Sequence, residues 1–391
     1  MNPETLGNAT APDFEFRYID IGSVSQGRID WGTVQKIRFS DSPSRARRLL
    51  RPGDTLLSTV RPLLGSHTHA AWDEREGYVC STGFAVIRAR EGLASSFLKH
   101  LPFAEQVTRQ LVAWQCGTNY PAVNERDVHL LQLPAPLPDE QAAIARILDA
   151  VDTAIERTRD AVTQSRVLQK SALAEAFERM HGEKRRLREF TTEVRYGTSQ
   201  AASDRGWGYP TLRIPNVIGD QLTLDDLTFV DAKLSEASRL TLRDGDLLLV
   251  RTNGNPNYVG RSAVFRAPDD RQWLYASYLI RVRLRDGLLP DYANVFLGME
   301  QGRRELLRRV TTSAGNHNIN SNSVRLLLIP VPRSTGEQER IVDLARSLRD
   351  HSFALANKVT ALLELKESLM HDLLTGRVRA DGVALESVRQ P

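Results

Sequence analysis

The polar loops of this chain are rich in arginine and asparagine, two side chains that can read the edges of DNA bases. The arginine fork matches the two acceptors of guanine, and an asparagine amide matches the donor and acceptor of adenine. In the first half the candidates are Arg45, Arg47, Arg48, Arg61, Asn119 and Tyr120. In the second half they are Arg251, Asn253, Asn255, Asn257, Tyr258, Asn316, His317, Asn318 and Asn320. The same asparagines suit ordinary turns. Arg303, Arg304, Arg308 and Arg309 fit phosphate contacts or a solvated helix face. Arginines outnumber lysines 45 to 7. That bias fits phosphate and guanine recognition, and a GC-rich genome would produce it equally well.

Other chemistry is missing. The chain has neither the G-x-x-x-x-G-K-[ST] loop that cradles phosphates nor the G-x-G-x-x-G dinucleotide fingerprint. It has no G-x-S-x-G nucleophile elbow. His67 and His69 stand two apart with no third ligand nearby, so a loop pair is expected rather than a metal site. Cys80 and Cys116 are isolated thiols, which points to a reducing compartment. Asn255-Pro-Asn-Tyr258 approaches the Asn-Pro-Pro-Tyr motif of amino-methyltransferases, but a turn is the expected reading. No catalytic, cofactor-binding or metal-binding residue is expected in this chain. Neither a signal peptide nor a bilayer-length apolar run is visible, so a cytoplasmic protein without a membrane association is expected.

The elements that must position the loops occur twice. Arg51-Pro-Gly-Asp-Thr-Leu-Leu57 answers Arg243-Asp-Gly-Asp-Leu-Leu-Leu249. Val128–Pro136 answers Val324–Pro332, and Glu140-Gln141 answers Glu337-Gln338. The order is the same in both halves, so the chain is a duplication. Leu56–Val60, Phe84–Arg88, Leu130–Leu133, Asp246–Val250, Tyr278–Leu284 and Leu326–Ile329 are predicted strands. Leu93–Leu111 and Pro290–Val310 are predicted helices.

Each half ends in a long helix. Ile341, Leu348, Leu355, Leu362 and Leu369 recur every seventh residue. Ile144, Leu148, Val151, Ile155 and Val162 follow the same spacing in the first half. Such heptads predict a coiled-coil seam, with each helix as the other's partner. Pro138-Asp139-Glu140 opens one helix, Thr335-Gly-Glu-Gln338 resembles a capping box, and Gly182 and Gly376 fit the two ends. A helix from Asp139 to Met180 would span about 60 Å. Paired antiparallel, the helices would hold two similar globules apart at a fixed distance. That geometry suits two half-sites on a linear polymer, or a scaffold joining two ligand-binding domains.

Charge follows the same division. Residues 1–136 carry 15 basic and 14 acidic side chains, and residues 182–333 carry 23 and 17. The helical segments 137–181 and 334–391 carry 6 against 8 and 8 against 9. The globules are therefore basic and the helices acidic, which places positive potential where DNA would bind.

The arrangement resembles the DNA-specificity subunit of type I restriction–modification systems. The residues that carry it are Pro43–Arg47, Gly53–Pro62, Cys80–Phe84 and Leu133–Gln141. In the second half they are Gly245-Asp246, Leu328–Pro332, Glu337-Gln338 and Leu369–Gly376. The resemblance implies an α+β architecture with an internal pseudo-two-fold repeat. Two similar α/β target-recognition domains, 1–136 and 182–333, are separated by two long antiparallel coiled-coil helices. The helices occupy 137–181 and 334–380, and 381–391 is a tail. It implies a non-catalytic subunit that directs methyltransferase and restriction subunits to a gapped, bipartite site on double-stranded DNA. Two methyltransferase subunits would dock, and the partners would use S-adenosylmethionine, Mg and ATP. The alternative is a stand-alone DNA-modifying enzyme or a scaffold. Compared with Leu187–Ile214, the first half lacks about 20 residues before Phe16–Ile21. A first domain shortened at its N-terminus is therefore expected.

Overall fold

The protein is described from a computed structural model, which covers residues 1–391 except 73–76, 181, 205, 220, 314 and 383–391. Most of the expected tail thus lies outside the described residues. The chain divides into two compact units. One comprises Met1–Asp160 and Ala356–Pro391, the other Ala161–Leu355. Each takes part of each long helix, Pro138–Arg179 and Thr335–Leu374. No helix among the described residues is long and apolar enough to cross a membrane.

The second unit is built on Leu247–Val250. All four of its side chains are fully buried, the mark of a strand covered on both faces. It lies between Leu279–Leu284 and Ser262–Val264, and Thr191–Tyr196 completes this antiparallel sheet. A second sheet joins Thr228–Val230, Tyr209–Leu212 and Leu274–Tyr275, the last two parallel. The first unit repeats the plan. Thr55–Ser58 pairs with Thr68–His69 and Phe84–Ile87. Glu15–Ile19 pairs antiparallel with Gln35–Arg38 and parallel with Tyr78–Ser81.

Three polar devices recur in both units and explain why their motifs repeat. Asp54 accepts from the Arg51 N–H, and both its oxygens hold the Arg88 guanidinium at 2.7 Å. Asp246 does the same with the Arg243 N–H and Arg283. Hydrogen bonding to the buried aspartate raises the pKa of each of these two guanidinium groups. Asn124 and Asn320 each cap a short helix, accepting from Asp127 N–H and Ser323 N–H. Asn320 is therefore a cap and not a base reader.

The third device is a glutamine clamp. Gln141 accepts from the Ala94 N–H and donates to the Gly92 and Pro136 carbonyls. Gln338 accepts from the Leu289 N–H and donates to the Gly287 carbonyl. Each fastens a long helix to its globule, so Gln338 is not the end of a capping box. Both glutamines are buried. Gln141→Ala is expected to destabilise the first unit by about 2–3 kcal/mol, because a backbone donor and two backbone acceptors lose their partner inside the protein. Denaturant unfolding checks this.

The long helices meet within each unit. In the first, Ile144 and Leu148 share a core cluster with Met370, Leu373 and Leu374. Asp152 is bridged to Lys366 at 2.6 Å. In the second, Phe177 shares a cluster with Ile341, and Ser165 hydrogen-bonds Ser352. In both pairings the residue numbers rise along one helix and fall along the other. Of the seam positions, Ile144, Leu148, Val151, Ile155 and Ile341 are buried, and Val162, Leu348, Leu355, Leu362 and Leu369 are half-buried. Gly376 takes φ +70° just past the second helix and closes it.

Several expected elements differ. Leu93–Leu111 is Ser95–Leu98, a 3-10 turn at Leu101–Phe103, and Glu105–Trp114. Pro102 lies at the start of that turn, where it cannot continue a helix. Pro290–Val310 is two helices, Pro290–Gly298 and Glu300–Leu307. Gly302 allows their close packing, since a Cβ there would stand 2.0 Å from the Phe296 carbonyl oxygen. Gly182 is not a helix end. It begins a strand, Gly182–Arg186, paired with Leu328–Pro332.

Leu130–Leu133 is not a strand, whereas its counterpart Leu326–Ile329 enters the strand Leu328–Pro332 at Leu328. In the first unit the Gln110 side chain takes a strand's place, accepting from Gln132 N–H and donating to Gln132 O. Asn2 likewise works at the edge of Phe84–Ile87. Its N–H donates to the Val86 carbonyl, and its side-chain oxygen accepts from the Val86 N–H.

Candidate nucleic-acid interface

In the second unit the buried strand Leu247–Val250 leads through Arg251 into Thr252–Asn253. That segment pairs with Asn316–Asn318, which pairs with Thr311–Ser313. The register sets Asn253 opposite His317 and His317 opposite Thr312. These three share one face, while Asn316 and Asn318 project from the other, because strand side chains alternate. The first unit builds the same crossing in reduced form. Val60 bridges Ala122, and Ala122 bridges Cys116. Ile319 N–H donates to Arg251 O and Val123 N–H to Thr59 O, both at 2.9 Å. With Asn320 set aside as a cap, eleven of the fourteen remaining candidate positions thus lie on or beside equivalent crossings.

Their side chains are not equally free. Asn253 accepts from Asn255 N–H and Asn255 from Asn257 N–H, two successive turns. One lone pair of each oxygen is thereby used and the turn fixes the amide's orientation, which restricts two-handed pairing with adenine. Asn318 donates to the Asn316 carbonyl. Among the described residues Asn119, Asn257 and Asn316 are exposed and keep both ends of the amide free. His317 is half-exposed, with Nδ1 3.2 Å from the Thr312 hydroxyl.

The arginines divide similarly. Arg61 is exposed and lies over the Tyr120 ring at 4.3 Å, with one nitrogen on the Asn119 carbonyl. Arg251 is half-buried against the Tyr196 ring at 4.4 Å and hydrogen-bonds Ser277 O. Tyr258 is capped by Arg261 at 3.8 Å. Arg303 holds the Pro256, Asn257 and Val259 carbonyls, so it braces the loop. Arg309 is paired with Glu305 and Arg304 with Glu300, whereas Arg308 is exposed. Sequence reasoning missed these braces because nothing local marks them.

The remaining candidates lie outside the first crossing. Arg45 is paired with Asp20 and Tyr18, and Arg47 lies over Phe39. Arg48 is half-buried on the Phe84 carbonyl, and burial lowers its pKa. Arg48 is a structural residue rather than a base reader. Asn255-Pro-Asn-Tyr258 is a turn closed by Tyr258 N–H on Asn255 O.

His67 accepts from Ser58 N–H, and burial lowers its pKa to about 4, so it is a neutral structural side chain. His100, Asp149 and Asp152 are close enough to suggest a metal. Lys99 and Lys366 already pair with these carboxylates, at 2.7 and 2.6 Å. Burial would raise the Asp149 pKa, but hydrogen bonds from His100 and Lys99 outweigh it and hold the value at about 2. The group is an ion-pair node joining Lys99-His100 to both long helices.

No protein-family model matches the chain. It is 25% identical over 343 residues to the type I restriction enzyme EcoKI specificity subunit of Escherichia coli, covering 83% of this chain and 73% of that protein. It is 20% identical to the StySPI specificity subunit of Salmonella potsdam, covering 95% and 84%. A solved chain from work on complex assembly and conformational transition of a type I restriction–modification system superposes with a TM-score of 0.64. It is 26% identical and covers 96% of this chain and 95% of that one. The chain is thus similar, over most of its length, to type I specificity subunits. In this chain the two crossings stand at equivalent places in the repeat and carry different side chains. One offers Arg61, Tyr120 and Asn119, the other Asn257, Asn316 and His317.

Proposed function

We propose that the chain is the non-catalytic subunit that carries methyltransferase and restriction subunits to a gapped, two-part site on double-stranded DNA. The observation that carries this is the duplicated crossing with unlike side chains, since two equivalent sites with different donors and acceptors suit two different half-sites. In this reading the two long helices form an antiparallel coiled coil that sets the gap and docks two methyltransferase subunits. The opposed pairing of helix segments within each unit supports it. The partners supply the chemistry, using S-adenosylmethionine, Mg and ATP.

Asn316→Ala and His317→Ala are each expected to relax one base pair of one half-site, at about 1–3 kcal/mol, and to leave the other half unchanged. Competition binding with single-position duplex variants reads this out. An equal loss on every sequence would exclude base reading at these residues.

A further inference from the structure

The turn after Arg61 exposes an apolar surface for which the fold has no use. Leu63 and Leu64 are 51% and 60% exposed. They sit on the short turn Pro62–Leu64, whose proline is buried. The turn is held firmly. Arg61 and Gly65 bracket it with φ +47° and +67°. Leu64 N–H donates to Arg61 O, and Gln26 N–H donates to Gly65 O, both at 2.9 Å. Gln26 also donates from its side chain to Leu64 O. Arg61 holds its left-handed conformation against an ordinary steric cost, which is characteristic of functional turns.

The repeat shows that this surface is not required by the fold. At the equivalent place the second unit carries Gly254-Asn-Pro-Asn257, which is mostly exposed and polar. The leucines instead flank the exposed Arg61 and Tyr120 of the first crossing. A guanidinium beside this patch suits a polyanion better than an apolar protein face. Among base edges in the major groove the apolar group is the C5-methyl of thymine.

We infer that Leu63 and Leu64 read thymine in the first half-site through its 5-methyl group, beside an Arg61 that takes a guanine or a phosphate. The inference rests on the DNA-reading function proposed above.

The test uses the full chain assembled with its methyltransferase subunits. Random-sequence duplexes are made either with thymine or with uracil, which lacks only the methyl, and the bound fraction is sequenced. In the thymine pool the first half-site should contain an A·T pair. In the uracil pool the preference there should fall about four-fold per methyl lost. Leu63→Ala with Leu64→Ala should show the reduced preference in both pools alike. The second half-site should be enriched equally throughout, which controls for folding and assembly.

Equal preference for thymine and uracil by the unaltered chain would overturn the inference, as would a first half-site without A·T pairs. Loss of methyltransferase assembly in the leucine variants, with base preference intact, would make the patch a protein contact and overturn it too. Enrichment of no sequence at all would overturn the DNA-reading function itself, and the inference with it.

Discussion

Asp246→Ala is expected to destabilise the second unit by about 3–5 kcal/mol, the usual cost of removing one partner from a buried ion pair. Asp246 is 1% exposed and holds Arg283 through both oxygens. Arg281 lies 4.0 Å away and is itself fully buried, paired with Glu193. Without Asp246 two guanidinium groups share one carboxylate inside the protein, and the Arg243 N–H loses its acceptor. Adding Arg283→Met should recover part of the loss, since one stranded charge is then gone. Urea unfolding of both variants tests this. A loss below about 1 kcal/mol would show that water reaches the site and that the motif repeats for another reason.

Leu148→Lys is expected to cost the first unit at least about 4 kcal/mol, because truncations at such sites already cost 2–5 kcal/mol and a lysine adds a buried charge. Leu148 is fully buried in the cluster shared by Val107, Leu111, Ile144 and Leu373. Those residues come from the globule and from both long helices. The variant should therefore loosen the helix pairing and the globule together, and methyltransferase assembly with them. Leu168→Lys is the control. Leu168 is 56% exposed on the same helix, so its stability effect should stay within about 0.5 kcal/mol. Thermal melting separates the two, and equal effects would contradict the seam described here.

The repeat was legible because its motifs do fixed physical work. Asp54 and Asp246 cap a turn and hold an arginine, and Gln141 and Gln338 clamp a helix to a globule. Such roles tolerate few residue types, so the letters recur at a steady offset. The heptad spacing was visible in the letters as well, yet only Ile144, Leu148, Val151, Ile155 and Ile341 of that seam are buried. Failures came where pairing decides the state. The matching segments Leu130-Leu-Gln-Leu-Pro134 and Leu326-Leu-Leu-Ile-Pro330 differ in state: the second runs into a strand beside Gly182–Arg186, the first is irregular against Gln110. A partner 22 residues away does not show in a local pattern.

The two crossings were legible in outline and not in detail. Loop composition located both crossings, since Arg, Asn and His gather there. It did not separate asparagines engaged in turns, Asn253 and Asn255, from the free ones, Asn257 and Asn316. That distinction depends on which backbone N–H faces each side chain. Leu63 and Leu64 passed unnoticed because an exposed leucine has no sequence signature.

The central claim is that the two crossings read two separated half-sites on behalf of partner enzymes. The direct measurement is co-expression of the full chain with an adenine methyltransferase subunit in a methylation-free host, followed by mapping of modified adenines across the genome. The predicted result is one motif of two specified parts separated by unspecified bases. A methylated motif without a gap, or no methylation from an assembled complex, would contradict it.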